Sequence, residues 1–355
     1  MPRVLHIVQS GDGGGVQRHV HDLVTGLPDQ TAGVVTGTEG WLTRTIRDTG
    51  LPVRQAAHLV RSLDPRNVAA ARRELAEVCR DWTPGVVHAH GIFALLAALP
   101  LADQMPLVYT GHGFQWHDKA HPWGLRSLSL AIHHRAAPRV AAFVAIASEA
   151  DEALRVGFQR VEQIPNGVRP WDAGVRLDNS KTFGVATRLV PGKGLESLLD
   201  ILAAEPDLQL CIAGDGSLAE HLAQKADVHG YRDRVDFLGW QDDLRLFYGG
   251  LFAYVSLSRK EGLPYGVLDA LGAGLPVVLS DIAGHRELVA EGRNGYLVPQ
   301  GDVTATLSAL RRLASDRAHC TTAGAASRSL VEEHFSLDQM LGRHAELYTS
   351  LRRAV

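Results

Sequence analysis

The feature that most constrains the fold is a repeated alternation of short apolar runs with longer amphipathic segments. The runs in the first half of the chain are RVLHIVQS, AGVVTG, GVVHAHG, PLVYTGHG and AAFVAIAS. Stretches with helical spacing lie between them, among them Pro65 to Asp81 and Pro122 to Ala137. Short apolar strands that alternate with helices are typical of a doubly wound, mostly parallel sheet, so the sequence predicts an α/β fold.

The alternation stops once and then starts again. Residues Pro165 to Ser180, PNGVRPWDAGVRLDNS, are rich in Pro, Gly, Asn and Asp and are interpreted as a linker. After it come KTFGVATRLV, LQLCIAGDGS, RVDFLGW, LFAYVSLS and PVVLSDI, each followed by a helical stretch. A length of 355 residues also favours two domains. We therefore predict two Rossmann-like domains, 1–165 and 166–335, facing each other across a cleft, with a helix over 336–355.

Composition limits the classes of binding partner and the cellular compartment that we expect. A net charge of -3 gives no general attraction for nucleic acid, so any anion site must be local. Cys79, Cys211 and Cys320 are far apart and match no metal or redox spacing, which fits a reducing compartment. The apolar run at the start is too short for a signal peptide, and no stretch approaches the ~20 apolar residues of a spanning helix. We expect a cytoplasmic protein without a nucleic-acid partner.

The chain contains seventeen histidines, which raises the question of a metal site. His88 and His90 alternate on a predicted strand and share a face, and His112, His117 and His121 follow downstream. Metal-binding sequences usually carry tighter signatures, such as two histidines four apart on a helix with a nearby acid. We therefore interpret these residues as scattered strand-end histidines and expect neither a metal ion nor a cofactor.

A glycine loop, SGDGGGVQRH, lies between the first predicted strand and the first helix. Glycines let the backbone approach an anion, and the helix start adds N–H donors. The dinucleotide pattern G-x-G-x-x-G is imperfect, with Gly11 and Gly13 followed by Val16 in place of the third glycine. Glu39 is an acid after the second strand, so spacing alone does not exclude NAD. Contact with phosphate or sugar is favoured over a tight turn alone.

A second loop, ATRLVPGKGLESLL, places two cations close to a strand end. Arg188 ends the strand, and Lys193 lies in a Pro-Gly-Lys-Gly turn that opens a helix. An Arg fork matches phosphate oxygens and Lys supplies a mobile point charge, so the pair could neutralise most of a diphosphate without a metal. Taken alone, an exposed Arg and Lys near a turn are commonplace.

A third stretch, EGLPYGVLDALGAGLPVV, holds two acids around a predicted helix start. Pro264 suits the first turn, the helix continues from Tyr265 to Gly272, and the N–H groups up to Val267 would be open to phosphate oxygens. Glu261 lies in the preceding loop and Asp269 in the second turn, so both acids could line one pocket. Carboxylates accept hydrogen bonds from vicinal hydroxyls. A solvated helix face is the alternative.

These residues carry a resemblance to a known family. EGLPYGVLDALGAGLPVVLSDIAGHRELV with NGYLVPQGD resembles the donor-binding signature of the retaining glycosyltransferases of family 4, which have the GT-B fold. The similarity extends over ATRLVPGKG, AGDGSLAEHL, VDFLGW and LFAYVSLSRKEGLP, and IPNGV resembles the entry into the second domain. It is looser in the first half, at the glycine loop, VVHAHG, YTGHGF and VAIASEAD.

The resemblance implies roles for the charged residues. Arg188 and Lys193 match the pair that binds the donor diphosphate. Glu261 matches the first acid of the E-x7-E motif, which is expected near the donor sugar. Asp269 matches the second acid, expected on the ribose hydroxyls, although the family usually has the longer Glu there. Both acids are then donor ligands rather than an acid/base pair.

The resemblance also implies further contacts. His112 matches the histidine near the reacting carbon, and the helix over 336–355 would cross back to the N-terminal domain. The loop after Glu261 would face sugar hydroxyls, the helix start would face phosphates, and the glycine loop would approach from the other domain. The residues implied in these backbone contacts are Gly14, Gly15, Gly262, Leu263, Pro264, Gly266 and Val267.

The implied reaction is transfer of a sugar from a nucleotide diphosphate sugar to an acceptor hydroxyl with retention. No Asp-x-Asp motif, which holds a cation in metal-dependent transferases, occurs in the chain. UDP is the nucleotide expected from family frequency. A nucleotide-sugar epimerase, a phosphorylase, a non-catalytic nucleotide-sugar-binding protein and an NAD oxidoreductase stay open. A retaining glycosidase would leave Arg188 and Lys193 unexplained.

The acceptor is the least constrained part of the prediction. The segment Trp116 to Arg139 combines aromatic, apolar and basic residues and could rest on an anionic membrane surface that bears a lipid-linked acceptor. A solvated helix that covers the sheet is the alternative. YTGHGFQWHD resembles polysaccharide-assembly members of the family, which points weakly to a carbohydrate of the envelope or capsule.

Overall fold

The computed structural model describes residues 2–113, 123–171 and 181–351. These residues form two compact units, one of Met1–Asn166 with Gln339–Val355 and one of Gly167–Asp338. Of the predicted linker, residues 172–180 lie outside the described part, as do His117, His121 and the start of the Trp116 to Arg139 segment. Within the described ranges, no helix is both long and apolar enough to cross a membrane.

The first unit is built on one parallel sheet. Its described strands are β1 (Val4–Val8), β2 (Thr31–Thr36), β3 (Val53–Gln55), β4 (Val86–His90), β5 (Leu107–Thr110), β6 (Ala142–Ala145) and β7 (Val161–Gln163). Its helices before the second unit are α1 (Gly15–Gly26), α2 (Trp41–Asp48), α3 (Pro65–Trp82), α4 (Ile92–Ala98), α5 (Trp123–Ala136) and α6 (Ala150–Val156). The strand order is β3-β2-β1-β4-β5-β6-β7, so the direction of winding reverses between β1 and β4.

The second unit repeats this architecture. Its described strands are β8 (Thr182–Ala186), β9 (Gln209–Ala213), β10 (Val235–Gly239), β11 (Ala253–Ser256), β12 (Val277–Ser280) and β13 (Gly295–Val298), in the order β10-β9-β8-β11-β12-β13. Its helices are α7 (Leu195–Ala204), α8 (Ala219–Val228), α9 (Arg245–Gly249), α10 (Tyr265–Gly272), α11 (Ala283–Arg286), α12 (Val303–Ser315) and α13 (Arg317–His334). The last helix is α14 (Leu337–Ser350), whose residues from 339 onward belong to the first unit.

Burial on both faces of the sheet explains why its strands are continuous apolar runs. Every residue of β1 is buried. Leu5 and Ile7 pack into one apolar cluster, whereas Val8 packs into another that includes Val20 of α1 and Val34 of β2. Helices therefore cover both faces, as in doubly wound sheets. The predicted α/β fold with two parallel sheets is confirmed.

The strand orders predict where ligands would bind. In open parallel sheets the crevice lies beyond the carboxyl ends of the strands, at the point where the order reverses. That point falls between β1 and β4 in the first unit and between β8 and β11 in the second. The glycine loop follows β1, the loop with Lys193 follows β8, and the loop with Glu261 follows β11. These three motifs therefore lie at the switch points.

Candidate active site

The two loops at the switch point of the second unit are docked on each other. The backbone N–H of Arg259, after β11, donates to the carbonyl of Gly192, after β8, at 2.8 Å. Gly194 has a left-handed φ of 68°, and a Cβ there would collide with the carbonyl of Leu257. Only glycine fits this close approach without strain. The Pro-Gly-Lys-Gly turn is thus fixed against the loop that carries Glu261.

This docking pairs two of the predicted site residues directly. Lys193 Nζ lies 2.6 Å from Glu261 Oε1, and the two side chains are only 17% and 14% exposed. The hydroxyl of Ser258 donates to the same carboxylate oxygen at 2.7 Å. A charge-assisted contact in a largely desolvated position is stronger than a surface ion pair. The structure therefore brings Lys193 and Glu261 together and holds Glu261 in a fixed orientation.

A further layer of hydrogen bonds supports Ser258. The Ser280 hydroxyl, at the end of β12, donates to the Ser258 carbonyl at 2.5 Å, and His285 Nδ1 donates to the Ser280 carbonyl at 2.9 Å. Burial lowers the pKa of His285, so this ring is neutral near pH 7. A Cβ on Gly284 would collide with the carbonyls of Glu261 and Gly262. Sequence reasoning missed this supporting layer.

Helix α10 begins where the sequence predicts, but its first turn is tighter than expected. Pro264 is the N-cap with φ -76° and ψ 126°, and it has no N–H to offer. The N–H of Val267 donates to the Pro264 carbonyl at 3.2 Å, so the prediction that it is open to phosphate is wrong. The reason is a 3₁₀-type bond in the first turn. The N–H of Gly266 has no partner among the described residues.

Tyr254 of β11 fixes the start of α10 against the end of β8. Its hydroxyl donates to the Ala186 carbonyl at 3.0 Å, and a Cβ on Gly266 would lie 2.6 Å from that hydroxyl. Burial raises the pKa of Tyr254, the Ala186 bond lowers it, and the negative charges of Glu261 and Asp269 raise it further. Both acids therefore act on one buried side chain, which supports the prediction that they border one site.

Arg188 and Asp269 complete the set in the second unit. Arg188 follows β8 and is exposed, and its guanidinium makes no ion pair or hydrogen bond within the described part of the chain. Asp269 is the fifth residue of α10 and is half-buried. Gly262 and Leu263 lie between Glu261 and the helix, with Leu263 buried. An unpaired cation on the same loop as a paired cation, with two acids after the adjacent strand β11, can bind an anion that carries hydroxyl groups.

The glycine loop of the first unit is a compact turn at the start of α1. Gly14 is the N-cap and Gly15 the first helical residue. Glu39, the acid considered for an NAD ribose, accepts hydrogen bonds from both terminal nitrogens of Arg47, Nη2 and Nη1, at 2.6 and 2.7 Å. Its carboxylate is thus engaged, which counts against the dinucleotide interpretation. The loop supplies backbone groups at the switch point, and its own acid, Asp12, is exposed and accepts a hydrogen bond from the Ser10 hydroxyl at 2.8 Å.

His112 follows β5 in an unusual backbone conformation. Its φ of 54° is left-handed, which few residues other than glycine adopt. Strained residues of this kind cluster at functional sites. His112 Nε2 lies 3.2 Å from Nδ1 of His90, the last residue of β4. His112 is partly exposed, whereas His90 is buried.

The histidines that we interpreted as scattered are clustered. Neighbouring strands and helices α1 and α14 bring six together in the first unit: His6, His19, His88, His90, His112 and His344. Loss of hydration lowers the pKa of His6 and His112 to about 3 and that of His344 to about 4. Two triplets could hold a metal ion, His6–His88–His90 and His19–His90–His112. In each triplet every residue offers one ring nitrogen, and the three nitrogens lie within 4.8 Å of one another.

Comparison with known families agrees with this fold and these motifs. The family described as Glycosyltransferase Family 4 matches residues 13–171, and the family described as Glycosyl transferases group 1 matches residues 171–330. The two matches adjoin at residue 171 and together span 13–330. The chain belongs to the glycosyltransferases of the GT-B, family 4 type.

Individual relatives support the same assignment. A lipopolysaccharide core biosynthesis glycosyltransferase of Rhizobium meliloti is 31% identical over 42% of this chain and 46% of its own length. A glycogen synthase of Mycobacterium tuberculosis is 26% identical over 77% of this chain and 70% of its own. The crystal structure of Anabaena HepE with UDP and glucose superposes with a TM-score of 0.82 at 20% identity, covering 99% of this chain and 100% of that one. This chain spans about half the length of the first of these relatives.

Proposed function

We propose that this protein is a retaining glycosyltransferase that moves a sugar from a nucleotide diphosphate sugar to an acceptor hydroxyl. The observation that carries the proposal is the group formed by Arg188, Lys193 and Glu261 at the switch point of the second unit. It joins an unpaired cation, a largely buried ion pair and a helix start. Family membership supports the assignment of this group to the donor.

The chemistry of the step explains this set of residues. Cleavage of the anomeric bond places negative charge on the leaving diphosphate. Arg188, Lys193 and the start of α10 would stabilise that charge, because they are positioned before the reaction and need not reorganise. Glu261 would then accept hydrogen bonds from sugar hydroxyls while Lys193 turns to the phosphates. The ion pair of Lys193 with Glu261 holds both groups at the carboxyl ends of β8 and β11.

UDP is the nucleotide we propose, and metal independence is part of the same proposal. The HepE structures that superpose with this chain contain UDP, UDP-glucose, or UDP with glucose. The cations of the second unit would neutralise the diphosphate without a bound ion. Relatives named for lipopolysaccharide core biosynthesis support a carbohydrate acceptor of the cell envelope, lipid-linked or free.

A transfer assay tests this function. The protein would be incubated with UDP-glucose and a panel of glycolipid and oligosaccharide acceptors, and the anomeric proton coupling of the product read by NMR. We expect UDP release and an α-linked product, because the donor is the α-anomer, with no loss of rate in a chelator. A β-linked product would exclude retention, strong inhibition by the chelator would exclude metal independence, and free or epimerised monosaccharide would favour an epimerase.

We also propose that helix α5 rests on the membrane that carries the acceptor. Trp123, Leu125 and Leu128 on this helix are 80%, 51% and 44% exposed. Arg135 follows on the same helix, is exposed and suits an anionic surface, whereas Arg139, beyond the helix, is paired with Asp103 at 2.6 Å. Trp116 and Lys119, which contributed to the prediction, lie outside the described residues. Apolar side chains next to cations are typical of interfacial helices.

Vesicle flotation tests this contact. We expect the protein to float with phosphatidylglycerol vesicles at low salt and to detach at high salt, because screening weakens surface attraction. Replacing Trp123 and Leu128 together by Ser should abolish flotation. Leu246→Ser is the control, since Leu246 is 93% exposed in the second unit. Absence of flotation by the unmodified protein, or equal loss in the control, would contradict the proposal.

A further inference from the structure

Three histidines of the first unit form a continuous chain of ring contacts. His6 on β1 faces His90 at the end of β4, and His90 in turn faces His112 after β5. His6 Nδ1 lies 3.2 Å from His90 Nε2, and His90 Nδ1 lies 3.2 Å from His112 Nε2. The parallel pairing of β1 with β4 and of β4 with β5 holds the three rings in this order.

Each contact needs one proton between its two nitrogens. Two imidazole lone pairs at this distance would repel, so one nitrogen of each pair must donate. His6 and His90 are buried, and none of the three rings contacts a carboxylate among the described residues, so no opposite charge offsets the cost of a buried imidazolium and the three rings are neutral. A neutral imidazole has one donor and one acceptor nitrogen. The middle ring must therefore donate to one neighbour and accept from the other.

The geometry leaves two arrangements of protons. If His6 donates from Nδ1, His90 accepts at Nε2, carries its proton on Nδ1 and donates to His112, which then also carries its proton on Nδ1. If His112 donates from Nε2, the same reasoning places the proton on Nε2 in all three rings. Both contacts join an Nδ1 to an Nε2. The three residues must therefore share one tautomer.

We propose that His90 is a positioning residue that ties the tautomer of His112 to that of His6. The nitrogen that His112 leaves for a ligand, Nδ1, is a donor in one arrangement and an acceptor in the other. Interchange from the Nδ1 to the Nε2 form moves the two shared protons across their hydrogen bonds. His6 Nε2 gains one proton and His112 Nδ1 loses one, so the three rings together carry three protons in both arrangements. The proposal rests on the proposed function only in placing His112 at the reacting sugar.

Other histidines of the first unit provide internal references. His344 Nδ1 lies 2.9 Å from the Met340 carbonyl, and His133 Nδ1 lies 2.7 Å from the Ser129 carbonyl. A carbonyl only accepts, so both rings must carry their proton on Nδ1. His88 contacts only hydroxyl groups, of Tyr348 at 2.7 Å and Thr110 at 2.8 Å, among the described residues. Hydroxyls donate or accept, so they leave the tautomer of His88 unconstrained.

The tautomers can be measured in the protein as it is. Two-bond ¹H–¹⁵N correlation spectra of histidine-labelled protein at pH 7 distinguish the two tautomers, with His344 and His133 as Nδ1–H standards. We expect His6, His90 and His112 to show the same tautomer. Different tautomers within the three, or one equivalent of a metal ion bound at His90 by elemental analysis and ligand shifts, would overturn the proposal. This result does not depend on whether the protein transfers sugar.

Two variants separate positioning from general packing. His90→Phe keeps an aromatic ring but removes both contacts. Tyr348→Phe removes a hydroxyl that bonds His88, which is not one of the three linked histidines. We expect His90→Phe to release His112 from the tautomer of His6 and to lower kcat by about 10- to 100-fold, as loss of a group that orients a functional histidine does. Tyr348→Phe should keep the shared tautomer and the rate. Equal tautomer changes in both variants would overturn the assignment to His90.

Discussion

Arg188→Ala should lower the rate of sugar transfer by ~10²–10³ while the protein stays folded. The expected loss is large because Arg188 is the exposed cation at the switch point of the second unit and, within the described residues, is not neutralised by an acid. Its charge is then available to the leaving diphosphate. Steady-state kinetics of UDP release at saturating donor measures the effect, with circular dichroism as the check on folding.

The matched control is Arg328→Ala. Arg328 lies on α13 and pairs with Glu332 one turn along the same helix at 3.1 Å. Exposed pairs of this kind contribute little to stability or function. The control should keep the full rate. If Arg188→Ala is as active as Arg328→Ala, Arg188 does not contact the diphosphate, and the assignment of the switch-point group to the donor fails.

Breaking the pair between Lys193 and Glu261 should have the second large effect. Lys193→Met leaves the Glu261 carboxylate, which is 14% exposed, without its cation. Glu261→Gln leaves the Lys193 ammonium, which is 17% exposed, without its anion. A largely buried charged group that loses its partner costs about 1–3 kcal/mol of unfolding free energy. The double variant should lose less than the sum of the two single losses, because neither charge is then left unpaired. Urea unfolding of the four proteins measures this coupling.

Lys181→Met is the control for this cycle. Lys181 pairs with Asp207 at the same distance, 2.6 Å, but the two side chains are 47% and 68% exposed. Water screens such a pair, so the substitution should leave the urea midpoint unchanged. A Lys193→Met midpoint that is likewise unchanged would show that the buried pair does not organise the site. Both single variants at Lys193 and Glu261 should also reduce transfer, whatever their stability.

The fold was predictable from the sequence where strands are buried on both faces. Ten apolar runs predicted ten of the described strands, mostly because burial on both faces leaves no polar alternation in the pattern; the exception is β10, in which only Val235 is buried. The strands that were missed are β3, β7 and β13. Two of them are three residues long, VRQ and VEQ, and are not fully buried. Their position at the sheet edge depends on pairing with β2 and β6, which local sequence does not encode.

The site was predictable in its members more than in their contacts. Motif spacing placed Arg188, Lys193, Glu261 and Asp269 on loops and a helix start that the structure gathers at one switch point. The ion pair of Lys193 with Glu261 joins residues 68 apart in sequence, so no local pattern indicates it. The hydrogen bond of the Val267 N–H was missed because a 3₁₀-type bond in the first turn of a helix does not require particular residue types.

The histidine cluster also depends on contacts between residues that are distant in sequence. His88 and His90 were recognised as sharing a face, but the pairing of their strand, β4, with β1, which carries His6, was not. His6 pairs in register with His88, and α14 brings His344 from the far end of the chain. The signal that could have found the cluster is the position of His6 on β1, because β1 and β4 are adjacent in the Rossmann strand order.

The most direct test of the central claim is thermal unfolding with UDP, GDP, ADP and dTDP, and with NAD as the contrasting ligand. A ligand at ~100 times its dissociation constant stabilises the folded protein by roughly 2.7 kcal/mol, which raises the midpoint by a few degrees. We predict that UDP raises the midpoint and that Arg188→Ala abolishes the shift. A shift with NAD alone, or a UDP shift that survives in Arg188→Ala, would contradict the assignment of the donor site.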